Sequence, residues 1–385
     1  MGDEQRRSTD ELITLAREQF EAATDFTVAV EEEFAILDPV SLDLTNRFED
    51  VQAAARGTAL EEHLVGELIA SEVEVRTGRQ ESFADVPAAM AERRAQLQAL
   101  VEPMGLLLGA TGTHPWGDWK KQRIIDTPHY RRNDELLRYV VWRNNSFGLH
   151  VHVAISGPDR AIAVVAGLRN FLPELLALSA SSPFVEGVNT GLHSARTQIF
   201  TRFFPRCGVP DAFASWAEYE SFVRFLYDTG SITEHTQLWW SVRPHFAFPT
   251  VEIRICDGQP ELAEAQSLAA FAASLVARIA RAHDDGEPVV PLPHRLIEEN
   301  FWRAIRWGLS GELIDFVRGE AIPARQRIEE LIEWVQPVAE EIGAAPYLAV
   351  PEQNAAERQI ERFEAGASLE EIYAEQVPAT ETIGG

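Results

Sequence analysis

Four short apolar segments of this chain carry acidic or histidine side chains at every second position. Successive residues of a β-strand point to opposite faces, so each such pair projects from one side of its strand. Glu31 and Glu33 form one pair, and His150 and His152 form another. The segments are VEEEFAIL at 30–37, SEVEVRT at 71–77, GLHVHVAIS at 148–156 and TVEIRICD at 250–257. The chain therefore has to fold into strands that place several charges on one face of a sheet.

The charged positions in these segments are candidates for a metal site. Their apolar neighbours indicate buried strands, where an unpaired carboxylate is strongly penalised. Taken alone, each carboxylate is more simply interpreted as a solvated strand residue or an ion-pair partner, and only convergence favours a metal. Mg²⁺ or Mn²⁺ prefers oxygen ligands with an occasional histidine. If the sheet curls so that the charged faces converge, six side chains could hold two or three such ions: Glu31, Glu33, Glu67, Glu74, His150 and Glu252.

Arginines in the same segments indicate chemistry on an anion. Lys120 and Lys121 are the only lysines, so nearly all positive charge comes from guanidinium groups, whose planar fork suits carboxylates and phosphates. In phosphoryl transfer, metal ions neutralise the phosphates of ATP while arginines stabilise the transferring group. The arginines in suitable segments are Arg196, Arg202, Arg243 and Arg254.

The order of predicted elements favours an α+β fold with a curved, mainly antiparallel sheet backed by helices. Apolar periodicity predicts helices at 9–22, 87–103, 160–181, 211–229 and 261–283, and a C-terminal part that is helical throughout 295–376. A buried strand is expected at 106–110 and a strand pair around 237–256. No linker is long enough to separate domains, which predicts one catalytic domain over 1–385. Within it, 26–290 would form the catalytic sheet and its helices, and 291–385 a helical portion.

Charge and cysteine content exclude several classes of partner. The formal net charge of −26 disfavours nucleic acid and anionic membrane surfaces. Cys207 and Cys256 give neither a disulfide framework nor a zinc-site spacing. The N-terminal segment has no apolar core typical of a signal peptide, and no stretch of about 18 apolar residues occurs. We therefore expect a cytoplasmic protein without membrane or nucleic-acid partners, and a homodimer as the default assembly.

Longer motifs in the chain resemble a known enzyme family. They are VEEEFAIL, EVEVRTG, GTHPW, FGLHVHVAI, LPELLALSASSPFVEG, ARTQIF and WWSVRPHFAFPTVEIRICD. Together they look like the carboxylate-amine ligase family that contains the type 2 glutamate-cysteine ligases, from about residue 26 to the C-terminal helices. The pattern is also similar, more distantly, to glutamine synthetase. The resemblance implies a glutamine-synthetase-like catalytic fold.

The resemblance also implies roles for individual residues. Six would ligate the metals: Glu31, Glu33, Glu67, Glu74, His150 and Glu252. Glu67 needs a bend or bulge, because in a regular strand it would face away from Glu74. Arg243 and Arg254 would lie near the phosphates or the acyl phosphate as catalytic groups, with Arg254 and His152 contacting the nucleotide. Arg196 and Arg202 would hold substrate carboxylates, and His114 of the GTHPW loop would be either a substrate contact or a loop hydrogen-bonding residue.

The implied reaction is an ATP-dependent ligation. ATP would activate the γ-carboxylate of glutamate as an acyl phosphate, and an amine would attack it to form an amide, with Mg²⁺ or Mn²⁺ as cofactor. Cysteine is the leading acceptor, giving γ-glutamylcysteine, and a different amine is the alternative. Two other classes stay open from the residues: a metal-dependent hydrolase using the strand histidines, and a binding protein that retains the fold.

Overall fold

A computed structural model describes residues 9–381 of the chain. The first eight and last four residues, which the single-domain prediction includes, lie outside the described part. The helices are α1 Thr9–Glu21, α2 Phe48–Ala55, α3 Val86–Val101, α4 Pro128–Leu137, α5 Tyr139–Trp142, α6 Pro158–Leu168, α7 Leu172–Ser179, α8 Ala195–Phe203, α9 Trp216–Asp228, α10 Leu262–Asp284, α11 His294–Trp307, α12 Ala324–Ile342, α13 Ala355–Glu364 and α14 Leu369–Glu381. The strands are β1 Val28–Leu37, β2 Leu64–Val65, β3 Glu72–Arg76, β4 Leu107–Gly109, β5 Gly148–Ala154, β6 Phe184–Val185, β7 Val188–Asn189, β8 Cys207–Gly208, β9 Trp239–Trp240, β10 Val242–Pro244, β11 Thr250–Asp257, β12 Glu312–Asp315 and β13 Glu320–Pro323.

Seven of these strands form one antiparallel sheet, which confirms the α+β prediction. Its order is β10-β11-β5-β1-β3-β2, with β4 also paired to β1. The sheet is open and does not curl, so the expectation of a curved sheet is wrong in that detail. The charged positions meet through strand register instead, because directly opposite residues of neighbouring strands have closely spaced side chains.

The two faces of this sheet have opposite character. Along β5, Leu149, Val151 and Val153 face the helices and belong to the main apolar core, while His150 and His152 face the other way. Helix α10 packs on the apolar face and contacts α3, α6, α7 and α12. Because side chains alternate along a strand, burying the apolar set fixes which face carries the charges. The charged side chains therefore lie on the face of the sheet that points away from the helix layer.

One charged residue of β1 points into the helix layer. Glu32 lies between Glu31 and Glu33 in sequence, so its side chain projects to the opposite face. There it accepts hydrogen bonds from Arg94 of α3, with an Nη2–Oε1 distance of 2.6 Å. Both side chains are almost fully buried. This ion pair ties α3 to the sheet and takes no part in the charged face.

Two predicted helical regions differ from the structure. The segment predicted as one helix at 160–181 is interrupted by a short 3₁₀ turn at Arg169–Phe171 before α7 begins. Pro173 explains the break, because proline lacks an N–H and clashes with the preceding turn of a continuous helix. The C-terminal part is not helical throughout, because β12 and β13 form a hairpin. Asp315 accepts hydrogen bonds from the N–H groups of Val317 and Arg318 and so stabilises its turn.

Two helical stretches, 158–179 and 262–284, have the length and hydropathy of a membrane span. Most of each stretch is buried inside the fold, and core helices of globular proteins have the same composition. They therefore give no membrane assignment. The single catalytic domain, its division after residue 290, the homodimer and the cytoplasmic location stay predictions.

Candidate active site

The centre of the charged face lies on β1 and its two neighbours. Glu33 of β1 is directly opposite Glu74 of β3, and Glu31 is directly opposite His150 of β5. The Glu31 carboxylate lies 3.3 Å from Nδ1 of His150 and 3.5 Å from Nε2 of His152. One carboxylate of β1 thus contacts both histidines of β5.

Three overlapping groups of side chains have the geometry of metal sites. They are Glu31 with Glu74 and His150, Glu31 with His152 and Glu252, and Glu33 with Glu67 and Glu74. Within each group the candidate ligand atoms lie within 4.8 Å of one another. Carboxylate oxygens with a single imidazole suit a hard divalent cation such as Mg²⁺ or Mn²⁺. The residues present therefore fit the predicted cofactor.

The electrostatics of the cluster show how crowded its negative charges are. Burial, followed by the neighbouring carboxylates, raises the pKa values of Glu72 and Glu74 well above the usual range. Burial also opposes ionisation of Glu31, but His152, His150 and Arg76 outweigh it and lower the pKa of that carboxyl. The apoprotein therefore favours protons on part of the cluster, and a bound cation would replace them.

Glu67 reaches this cluster from a loop. It lies between β2 and β3, outside regular strand structure, so the bend that the sequence required is present. Its carboxyl joins Glu33 and Glu74 in one of the candidate metal groups. Burial, followed by the charge of Glu33, raises the pKa of Glu67 to about 7. Glu67 is thus the member of the cluster whose ionisation near neutral pH is most readily tested.

Four arginines line the same cavity, which has a volume of about 360 Å³. Arg243 and Arg254 both donate to Glu252, and these two cations lower the pKa of that buried carboxyl despite the opposing effect of burial. Arg76 pairs with Glu31 and Glu74. Arg196 is different, because its guanidinium donates to backbone carbonyl groups and to no carboxylate. It is the one arginine of this set, within the described residues, that a substrate carboxylate could engage without displacing a glutamate.

Two buried donors in the cavity have no hydrogen-bond partner within the described residues. They are Nε of Arg196 and Nε of Arg254. Buried polar atoms are nearly always hydrogen-bonded, and leaving one unpaired is unfavourable. Unpaired donors in a cavity lined by carboxylates and arginines indicate that an anionic or polar ligand belongs there.

An apolar pocket of about 440 Å³ adjoins the acidic cavity. Glu31, Arg76, His152 and Phe248 line both spaces. Ala29, two positions before Glu31 on β1, shares its strand face and lines the apolar pocket. One continuous surface therefore passes from apolar side chains to the carboxylate cluster.

Two residues predicted to bind substrate lie elsewhere. Arg202 is half exposed on α8 and donates to Glu298 of α11 at 2.6 Å. Nε2 of His114 donates to the Leu42 carbonyl, and its ring packs against Trp116 and Tyr373. Burial lowers the pKa of His114 to about 4. Neither residue lines the cavity, so the structure favours the loop hydrogen-bonding interpretation of His114 and a surface ion pair for Arg202.

The cavity also contains residues that the sequence prediction omitted. Arg76 could have been found, because it follows Glu72 and Glu74 at the same two-residue spacing. Tyr130 and Asn133 of α4 also line the cavity, together with Trp239 of β9. No spacing in the sequence links α4 to the sheet, so these residues carry no comparable signal.

The comparison with known proteins decides the family. The model of glutamate-cysteine ligase family 2 matches residues 27–374. This chain belongs to that family. A relative from Solibacter usitatus, whose name reads "Putative glutamate--cysteine ligase 2", is 36% identical over 360 residues, covering 92% of this chain and 93% of the relative. Membership of this family supports the assignment of the protein as a ligase. The protein resembles this relative over almost its whole length.

Two solved structures share the fold of this family member. One is a bifunctional glutathione synthetase from Pasteurella multocida, with a TM-score of 0.67 and 15% identity over 96% of this chain. The chain spans about half of that protein, 53% of its length. The other is a glutamate-cysteine ligase from Francisella tularensis in complex with AMP, with a TM-score of 0.66, 12% identity, and coverage of 94% of this chain and 89% of that one. At this identity the likeness establishes the fold.

Proposed function

We propose that this ligase uses ATP and a divalent cation to join the γ-carboxylate of glutamate to the amine of cysteine. The observation that carries the proposal is the shared wall of the acidic cavity and the apolar pocket, formed by Glu31, Arg76, His152 and Phe248. An apolar pocket suits a purine ring, and an adjoining carboxylate cluster suits the cations that accompany its phosphates. ATP would lie across this wall, with its γ-phosphate at the carboxylates.

The donors of the cavity would divide the anionic groups between them. Bound Mg²⁺ or Mn²⁺, held by Glu31, Glu33, Glu67, Glu74, His150 and Glu252, would neutralise phosphate charge. Arg254 and Arg243, held in place by Glu252, would stabilise charge on the transferring phosphoryl group. His152, which lines both the acidic cavity and the apolar pocket, would contact the nucleotide. Arg196, which is not committed to a glutamate, would hold a carboxylate of the amino-acid substrate.

The proposed reaction balances in two steps. An oxygen of the substrate γ-carboxylate attacks the γ-phosphorus of ATP, the bond from that phosphorus to the bridging oxygen breaks, and ADP leaves. The amine nitrogen then attacks the acyl carbon of the γ-glutamyl phosphate, inorganic phosphate leaves, and the nitrogen loses a proton as the amide forms. The products are γ-glutamylcysteine, ADP and phosphate, and no covalent enzyme intermediate is needed.

Measuring ADP and γ-glutamylcysteine together tests this function. Purified protein would be incubated with Mg²⁺, ATP and glutamate, with and without cysteine, beside a Glu33→Gln variant. We expect cysteine-dependent release of ADP and formation of the dipeptide, both reduced at least 100-fold in the variant. Equal rates with cysteine and with other amines would favour the alternative acceptor. A wild-type protein that releases no ADP with any amine would refute the ligase assignment for these substrates.

Filling the apolar pocket tests the placement of the nucleotide. Ala29→Leu would extend a side chain from β1 into the pocket without altering any carboxylate. We expect the KM for ATP to rise at least tenfold while the KM for glutamate changes less than twofold. Ala217→Leu, on the exposed face of α9, is the matched control. An unchanged KM for ATP in Ala29→Leu would place the nucleotide elsewhere.

A further inference from the structure

Asp257, the last residue of β11, is fully buried beside the cavity but does not line it. Its Oδ2 accepts hydrogen bonds from the Ser181 N–H at 3.1 Å and from the Ser182 hydroxyl at 2.6 Å. Its Oδ1 accepts from the Ser194 hydroxyl at 3.0 Å. Three donors offset part of the cost of burying this carboxylate. Asp257 therefore joins the end of β11 to two segments of chain that are distant in sequence.

Both segments control the start of α8, the helix that carries Arg196. Ser194 is the N-cap of α8, and its side chain accepts a hydrogen bond from the Thr197 N–H. Ser182 accepts one from the N–H of Arg196 itself at 3.1 Å. The same two hydroxyl groups that donate to Asp257 thus fix the first turn of α8, and with it the point from which the Arg196 side chain leaves the helix.

Three neighbours surround the guanidinium of Arg196. Its Nη1 lies 3.7 Å from Oδ1 of Asp257, which is an electrostatic contact longer than a hydrogen bond. Nη1 also donates to the Ile255 carbonyl at 3.3 Å. On the other side, a Cβ at Gly148 would lie 2.2 Å from Nη2, so only glycine leaves room for the group there. Its exposed fraction is 4%, and Nε has no partner among the described residues.

We propose that Asp257 is the positioning residue for Arg196, holding its guanidinium at the edge of the cavity with a free donor for a substrate carboxylate. The proposal rests on the proposed function in its assignment of a substrate carboxylate to Arg196. Asp257 is too far from Arg196 to neutralise it in a close ion pair, and it directs its hydrogen bonds to the serines. It therefore supports the position of the cation while leaving the charge available for a ligand.

Asp257→Asn tests this role with almost no change in volume. An asparagine amide nitrogen cannot accept the hydrogen bonds that the Ser181 N–H and the Ser182 hydroxyl donate to Oδ2, so these two bonds are lost if the amide nitrogen takes that position. We expect the KM for glutamate to rise at least tenfold, with the KM for ATP changed less than twofold. Arg196→Lys should show the same pattern, and the double variant should be no worse than Arg196→Lys alone, because both changes act on one interaction.

A second variant covers the possibility that Asp257→Asn does not fold. Ser182→Ala removes one hydrogen bond to Asp257 and one from Arg196, and it should raise the KM for glutamate about fivefold, the effect of about 1 kcal/mol. Glu174→Gln is the matched control, because Glu174 is equally buried but pairs with Arg327 away from the cavity. It should leave both KM values unchanged. A similar KM for glutamate in wild type, Asp257→Asn and Ser182→Ala would overturn the proposal.

Crystal structures separate this inference from the proposed function. In Asp257→Asn, or in Ser182→Ala if the first does not fold, the Arg196 guanidinium should move from its wild-type position by more than about 1 Å. If wild-type protein neither binds nor consumes glutamate, the proposed function fails, and the position of Arg196 still decides whether Asp257 holds it. An unmoved guanidinium would refute the positioning role whatever the substrate is.

Discussion

Replacing Glu67 with glutamine should stabilise the metal-free protein and at the same time weaken metal binding. In the structure this carboxyl belongs to a group with Glu33 and Glu74, and the arginines near the group do not outweigh burial and the charge of Glu33. Glutamine keeps the shape and a hydrogen-bonding oxygen but removes one negative charge. The two effects have opposite signs, which distinguishes an electrostatic origin from simple damage to the fold.

The magnitude follows from the pKa of Glu67, which burial and then the charge of Glu33 raise from 4.5 to about 7. Each pKa unit corresponds to about 1.4 kcal/mol, so ionising this group in the folded protein is less favourable by about 3 kcal/mol than in the unfolded chain. A raised carboxyl pKa means that the folded state binds more protons between pH 4.5 and 7, and its stability falls as pH rises through that range. The full penalty is present at pH 8 and absent below pH 4.5. For a chain of this length about 3 kcal/mol corresponds to a rise in Tm of roughly 4 °C.

Thermal unfolding of wild type and Glu67→Gln in EDTA, from pH 5 to pH 8, measures this difference. We expect the variant to exceed wild type by about 4 °C at pH 8 and by less than 1 °C at pH 5. Saturating Mg²⁺ should stabilise wild type more than the variant at pH 8, because the variant lacks one charged ligand. A variant that is less stable than wild type at pH 8, or a difference that does not change with pH, would refute the reasoning.

Three further outcomes are expected. Arg94→Met should lower the free energy of unfolding by about 3–5 kcal/mol, because it leaves the buried Glu32 carboxylate unpaired. The KM values of this variant should stay within twofold of wild type. An unchanged Tm in thermal unfolding would contradict this prediction. Arg202→Ala should leave the KM for glutamate within twofold of wild type in steady-state assays, since the ion pair of Arg202 with Glu298 is on the surface. A tenfold rise in this KM would restore the substrate role predicted from the sequence. Mg²⁺ at about 100 times its Kd should raise the free energy of unfolding of EDTA-treated protein by about 3 kcal/mol in calorimetry. The Glu33→Gln variant should lose most of this increase. An equal increase in wild type and variant would argue against Glu33 as a ligand.

The alternating charges in the sequence were sufficient to predict the face on which the site is built. Glu31, Glu33, Glu74, His150 and Glu252 all lie on that face, because alternation is a local property of any strand. The curl assumed for their convergence was unnecessary, since antiparallel register alone places Glu33 opposite Glu74. Their roles as metal ligands stay a prediction, whereas their convergence in one cavity is observed.

Residues outside the strands were harder to assign, and α8 shows why. Arg196 and Arg202 are six residues apart, which at 3.6 residues per turn places them on different sides of one helix. The sequence contains both arginines but cannot show which side of α8 faces the sheet. The hydroxyl groups of Ser182 and Ser194 donate hydrogen bonds to Asp257 that fix the start of α8, and these bonds join segments more than 60 residues apart. Arg196 therefore enters the cavity and Arg202 pairs with Glu298.

The sequence by itself determined the alternating pattern, the two faces of each strand and the residue types that the charged face presents. The tertiary structure alone decided the strand order, the approach of Glu67 from a loop, and the packing of His114 against Tyr373 away from the cavity. The reason is physical: side-chain direction within a strand follows from backbone geometry over two residues, whereas the position of a loop or a helix face depends on contacts between distant parts of the chain.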